Sequence, residues 1–386
     1  MKQTKPMNEF TLMQEGEGKV PLFFPNIPKK AAANVNTVLS GRWIGQGPAV
    51  DQFELEFSKN FNVENKSFVA VNSGTAALHL AYLLAGLGLD DDVICPVFTC
   101  TATNLALMYV GANLKFYDVA PRSLNASIED IEALITPETK AIVTVDYGGV
   151  PNDYIALKKL ADKYDIKIIA DLAHCLDGSI NGQSILKYVD FATYSFQAIK
   201  TLTTADGGML VCPASHEEKA KRLRWFGIDR AEKQKGTWEN DIYEIGYKYQ
   251  MTDIAASIGL AGLEELPETL NYRRRLLEVY RDQMMSLSLN PLLEADIPSG
   301  FDFTPWLATY ICSDNRLTIM HALRDHGIES AQVHYRNDRY SVFKNWADKE
   351  FPNMNQIEEN YLVLPLHTKV SENDVNRILE VVASLQ

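Results

Sequence analysis

Lys200 lies in Ser195-Phe-Gln-Ala-Ile-Lys200-Thr-Leu-Thr-Thr-Ala-Asp-Gly-Gly-Met209, where an apolar run breaks into a polar, threonine-rich turn before a second apolar run begins. Most lysines keep their ammonium in water. One held in a loop between two core strands offers an amine that can condense with an aldehyde or carry a proton once burial weakens its charge. Three further groups could work with it. Asn72-Ser73-Gly74-Thr75-Ala76-Ala77 follows an apolar run and opens a helix-like one, so freed backbone N–H groups, hydroxyls and a glycine converge as they do around phosphate. The same Ser-Gly-Thr is also an ordinary helix N-cap. Asp171 closes another apolar run, where it is either a turn residue or a buried carboxylate that pairs with a protonated ring nitrogen. His174, three residues on, could reach a group on the same ring, or be a satisfied polar side chain.

The elements that position these groups alternate. Apolar, β-rich segments at 67–71, 93–97, 114–119, 141–146, 166–171, 191–196 and 209–212 are separated by helix-like stretches that include 75–87, 101–109 and 153–164. Near-continuous apolar strands suit a sheet covered by helices on both faces, and βα alternation implies an α/β, mostly parallel sheet that binds ligands at its strands' carboxyl ends. The cradle, Asp171, Ser195 and Lys200 all fall at such ends, in chain order. Together they are the parts needed to hold pyridoxal phosphate (PLP). Beyond residue 215 the texture becomes charged and aromatic. Residues 267–287 are expected to form a long helix with Pro267 in its first turn, 291–303 a Pro-rich loop, and the rest a smaller α+β module. The expected division is a large domain at 30–262 and a small C-terminal domain at 263–386, with residues 1–29 packing near the latter.

The chain has 386 residues, 46% of them hydrophobic, enough for a large core. Its 37 basic and 50 acidic residues give a formal net charge of −13, which speaks against non-specific nucleic-acid binding. Five scattered cysteines read as reduced thiols, mostly in core strands, of a cytoplasmic protein. The first ten residues show no apolar leader, and the longest apolar stretch, 76–89, is too short and interrupted to span a bilayer. No metal site and no membrane contact are expected.

Asn72-Ser-Gly-Thr-Ala-Ala-Leu78, Asp171-Leu-Ala-His174, Ser195-Phe-Gln-Ala-Ile-Lys200, Trp225-Phe-Gly-Ile-Asp-Arg230 and Gly246-Tyr-Lys-Tyr-Gln-Met-Thr-Asp-Ile254 resemble the sugar aminotransferases of the DegT/DnrJ/EryC1/StrS group. The resemblance runs from Trp43-Ile-Gly-Gln-Gly-Pro48 to Leu364-Pro-Leu-His367. It implies a fold-type I PLP enzyme with a three-layer αβα large domain around a seven-stranded sheet. It further implies a homodimer with shared active sites that moves an amino group, with glutamate as the expected donor, onto a C3 or C4 ketone of a nucleotide-linked deoxysugar for polysaccharide (lipopolysaccharide) or glycoside biosynthesis.

By the same resemblance Lys200 matches the cofactor-linking lysine, Asp171 the partner of the ring nitrogen, and His174 the neighbour of the ring oxygen. Gly74, Thr75 and Ser195 match phosphate contacts. Lys248 falls where relatives carry an asparagine that reaches the phosphate across the dimer interface. His334, in Val333-His-Tyr-Arg-Asn-Asp338, resembles a substrate-binding histidine, and Arg230 is a second substrate-binding candidate. Cys100 replaces an aromatic ring that relatives place over the cofactor, and Gln250 replaces an arginine. Two alternatives share the scaffold: a PLP-dependent sugar dehydratase, in which histidine replaces the lysine, and a non-catalytic PLP-binding relative.

Overall fold

The computed structural model describes residues 16, 18–236, 239, 241–295, 297, 299–312, 315–347 and 349–385. Of the N-terminal segment, residues 1–15 and 17 lie outside the described residues, and with them the stretch read for a leader. Seven strands form the central sheet: β1 (Lys66–Val71), β2 (Asp92–Pro96), β3 (Asn113–Tyr117), β4 (Thr139–Val145), β5 (Lys167–Asp171), β6 (Phe191–Ser195) and β7 (Gly208–Pro213), in the order β1-β7-β6-β5-β4-β2-β3. All neighbours are parallel except those of β7, which runs antiparallel to both β1 and β6. Each expected strand is present, with ends displaced by two residues or fewer.

Alternation within the apolar runs splits the side chains between two cores. Val69, Val71, Val93, Cys95, Val143, Leu210 and Cys212 point into one; Ala70, Ile94, Ile142, Met209 and Val211 point into the other. Both faces are dry, which is why the strands read as continuous rather than alternating. The first core is covered by α1 (Gly74–Leu84) and α2 (Thr101–Tyr109), the second by α3 (Tyr154–Tyr164), the helix Pro48–Ser58 and the start of α4 (Asp253–Ser286). These are the three expected layers.

Pro267 is not in a first turn. It sits inside the 34-residue α4, whose N-cap is Thr252, with Oγ1 accepting from the Ala255 N–H at 3.2 Å. An internal proline costs about 3 kcal/mol. The helix carries it because buried positions continue on both sides, from Gly259, Gly262 and Leu266 to Thr269, Arg273 and Leu276. The helix therefore crosses residues 262 and 263 without a break. Its far end joins a third core, with Tyr280 and Met284 packed against β8 (Ala308–Ile311), β9 (Tyr361–Leu364) and the amphipathic helix Glu372–Ala383. β8 and β9 pair antiparallel. Residues 18–26 thread onto this region: Val20 bridges Ile328, and the Pro21 carbonyl is 2.9 Å from His367 Nε2. Among the described residues, no helix is long and apolar enough to cross a membrane.

Candidate active site

Register brings three strand ends together. Val71 of β1 and Ser195 of β6 both lie opposite Gly208, the first residue of β7. The approach is close enough that only glycine fits: a β-carbon on Gly208 would stand 2.5 Å from the Ser73 carbonyl oxygen, and one on Gly74 would stand 2.9 Å from Ser195 Cβ. Ser73 is extended and caps α1, its hydroxyl accepting from the Ala76 N–H at 3.1 Å. The first N–H groups of α1, including those of Gly74 and Thr75, have no partner within the helix and carry the positive end of its dipole. With the Ser195 hydroxyl beside them they form an anion cradle.

Asp171 ends β5, buried, on the strand next to β6, whose end carries Ser195 of the cradle. Its Oδ2 accepts from Thr103 Oγ1 at 2.7 Å and its Oδ1 from the Ala173 N–H at 3.1 Å. Burial pushes its pKa above the usual carboxylate value, while these donors and the Lys200 charge pull it back. Thr103 is itself 2.8 Å from Thr99 Oγ1. Because the Thr103 proton goes to Asp171, Thr99 is the donor of that pair.

Lys200 follows β6 in a turn closed by its own N–H to the Gln197 carbonyl at 2.9 Å. Nζ lies 3.7 Å from the centroid of the Trp306 ring. Burial lowers the amine to about 8, although Cys100 and Asp171 act in the opposite direction. His174 stacks on Trp306 with centroids 3.9 Å apart, and its Nε2 is 3.3 Å from His334 Nε2. Burial, aided by the Lys200 charge, holds both imidazoles neutral: His174 well below its ordinary value and His334 down to about 3. His334 is fixed through its backbone, since the Tyr147 and Tyr361 hydroxyls donate to the Val333 and His334 carbonyls. The neighbouring Arg336 is structural: it is buried and bonded to Asp338, Asn355 and Glu358.

Gly74, Thr75, Asp171, His174, Ser195, Lys200 and His334 thus share one cavity of about 460 Å³. Lys248 and Arg230 do not line it within this chain. Lys248 Nζ lies 5.1 Å from the Phe226 ring on the segment that bridges to Trp225. Arg230 donates to the Gln46 carbonyl and lines a separate cavity of about 480 Å³ with Trp43 and Arg224. Of the five cysteines four are buried, but Cys100 is exposed and faces the Lys200 cavity. Among the described residues, no group of three or more His, Cys, Asp or Glu could hold a metal ion. Sequence reasoning missed Thr103, Trp306 and Phe23. Only the aromatic type of Trp306, next to a loop proline, hinted that something large was to be buried there.

These residues fit PLP. The cradle is open because two glycines lack β-carbons, Asp171 is a buried carboxylate, His174 Nδ1 is buried with no hydrogen-bond partner among the described residues, and Lys200 lines the cavity. A mostly parallel α/β sheet with these groups at its strand ends defines a PLP-dependent transferase. The DegT/DnrJ/EryC1/StrS aminotransferase family matches residues 25–383. A dTDP-4-dehydro-2,3,6-trideoxy-D-glucose 4-aminotransferase of Saccharopolyspora spinosa is 30% identical over 353 residues, 89% of this chain and 90% of that protein. Among solved structures, the sugar aminotransferase CalS13 of Micromonospora echinospora superposes with a TM-score of 0.88 at 28% identity, covering 95% of this chain and 99% of that one. Spr1654 of Streptococcus pneumoniae, solved in PLP and PMP forms, gives 0.88 at 28% identity, over 95% of this chain and 98% of its own. The chain belongs to this family of PLP-dependent sugar aminotransferases.

Proposed function

We propose that the protein moves an amino group from an amino acid, with glutamate as the expected donor, onto the ketone of a nucleotide-linked deoxysugar. The observation that carries this reading is the convergence of a buried, weakened amine with the anion cradle and Asp171 in one cavity. The S. spinosa relative is named for a ketone at C4, which makes that carbon the first candidate. The product, an amino sugar on a nucleotide carrier, suits later glycosyl transfer into a polysaccharide or glycoside.

When bound, PLP supplies an electrophilic aldehyde carbon and an electron-accepting ring. The protein's part is to hold and to move protons. The N–H groups of Gly74 and Thr75 and the Ser195 hydroxyl would hold the phosphate, and Asp171 the protonated ring nitrogen. His174 Nδ1, which has no hydrogen-bond partner among the described residues, is available to the ring oxygen. An amine near pKa 8 can both take and return a proton at neutral pH, so Lys200 is suited to general base and acid work at a substrate carbon. The neutral His174–His334 pair adds a hydrogen-bonding edge for the sugar without adding charge. Lys248 and Arg230, which do not line their own chain's cavity, are assigned to the partner's site in a homodimer. Four buried free thiols suit a reducing, cytoplasmic setting.

The test is a visible-range titration of the PLP-loaded protein with amino acids, followed by a panel of nucleotide-linked keto sugars with mass detection of the amino product. Glutamate should convert the cofactor to its amine form, and one sugar should restore the aldehyde form. Lys200→Ala should do neither. Undiminished turnover by that variant, or a wild-type spectrum indifferent to every amino acid, would overturn the reading.

A further inference from the structure

We infer that Trp306 is the positioning residue of Lys200: its indole N–H fixes the peptide before the lysine, and its ring holds the free ammonium in the cavity. The inference rests on the aminotransferase reading of this site.

Trp306 comes from a loop more than a hundred residues beyond Lys200, yet it grips the lysine twice. Indole Nε1 donates to the Ile199 carbonyl at 3.0 Å, and the ring centroid lies 3.7 Å from Lys200 Nζ. The indole is in turn held from several sides. Its backbone N–H donates to the Gly148 carbonyl at 2.7 Å. At Gly149 φ is +100°, and a β-carbon there would stand 2.5 Å from the Thr304 carbonyl and 3.1 Å from Trp306 N. Asp177 clamps Thr304, accepting from its N–H at 3.0 Å and its hydroxyl at 2.9 Å. Phe23 stacks on the indole with centroids 5.5 Å apart, and His174 packs against it at 3.9 Å.

The chemistry explains why a ring suits this place. A lysine side chain is long and flexible, and once its amine is free it has many rotamers to explore. Asp171, the buried carboxylate of the cavity, accepts from Thr103 and Ala173 and in the proposed function keeps its remaining lone pairs for the ring nitrogen. A second carboxylate beside Nζ would hold the ammonium but strengthen its grip on the proton. The quadrupole of an indole attracts the cation without offering a proton acceptor. It therefore localises the ammonium while tightening its hold on the proton less than a carboxylate would. Other titratable groups that act electrostatically with Lys200 are His174 and His334, held neutral, and Cys100.

Trp306→Phe keeps a ring and loses the N–H; Trp306→Leu loses both. In the full-length protein freed of cofactor, lysines are reductively methylated with carbon-13 formaldehyde and observed by NMR, with Lys200→Arg assigning the Lys200 signal. That signal should lie upfield of the other lysines in wild type, and should return to their position in Trp306→Leu. In the PLP-loaded protein, exchange of the amino acid's Cα hydrogen with heavy water should slow about tenfold in Trp306→Phe, the worth of one lost hydrogen bond, and further in Trp306→Leu, with the amino acid's KM nearly unchanged. An undisplaced Lys200 signal in wild type, or wild-type exchange in either variant, overturns the inference. Should Trp306→Leu fail to fold, the wild-type signal and the Phe variant still decide. Fast exchange by Lys200→Ala would instead sink the aminotransferase reading, whereas an inert Lys200→Ala beside an unimpaired Trp306→Leu would sink only the role of Trp306.

Discussion

Gly74 and Ser195, 121 residues apart in the chain, meet so closely that a β-carbon on the glycine would stand 2.9 Å from the serine's own Cβ and 3.2 Å from its hydroxyl. The contact joins the start of α1 to the end of β6 and sets the width of the anion cradle. Four consequences of the site's geometry can be measured.

Gly74→Ala should push Ser195 and the start of α1 apart by a few tenths of an ångström. PLP affinity, followed by absorbance on titrating the cofactor-free protein, should fall about tenfold or more, because anion binding depends on the placement of those N–H groups. Unchanged affinity would show that the phosphate lies elsewhere.

Asp171→Asn keeps the shape and removes the charge that would face a protonated ring nitrogen. Loss of a preorganised charge of this kind costs about 10²-fold or more in kcat. Thr103→Val, which leaves Asp171 Oδ2 without its hydroxyl donor, should lower kcat less and reduce stability by about 1–3 kcal/mol. Steady-state kinetics beside urea denaturation separates the two effects.

His334 is held neutral down to about 3, whereas in the unfolded chain it titrates near its ordinary 6.5. Between those values the unfolded state binds the extra proton, so stability is lost as pH falls. Wild type should therefore lose about 1–2 kcal/mol more than His334→Gln on going from pH 7 to pH 5. Equal losses in urea melts at the two pH values would show that this imidazole takes up its proton in the fold.

Lys200 follows the same sign of linkage in a more alkaline window. Its pKa is lowered from 10.5 to about 8, so the buried ammonium costs stability below pH 8, and that cost is relieved as pH rises toward 10.5. Lys200→Met should stabilise the cofactor-free protein by about 3 kcal/mol at pH 7 and by nearly nothing at pH 10.5. A gain independent of pH would point to packing rather than charge.

By itself the amino-acid sequence determined the layered sheet, the order of its strands along the chain and the polar groups at their ends. Those signals are local: apolar runs of strand length, a Ser-Gly-Thr helix start, and Asp171 and Lys200 placed just where runs stop. The family motifs are local in the same sense. Tertiary structure alone decided what depends on distant segments meeting. Phe23, His174, Lys200 and Trp306 form one stack and grip although no periodicity links them, and Thr103 reaches Asp171 only because α2 crosses the end of β5. Pro267, which read as a helix start, is carried inside α4 because burial on both sides of it outweighs one missing hydrogen bond. Lys248 and Arg230 carry family-like positions in the chain, but which cavity a side chain lines follows the fold around it, and here neither lines the cavity of its own Lys200.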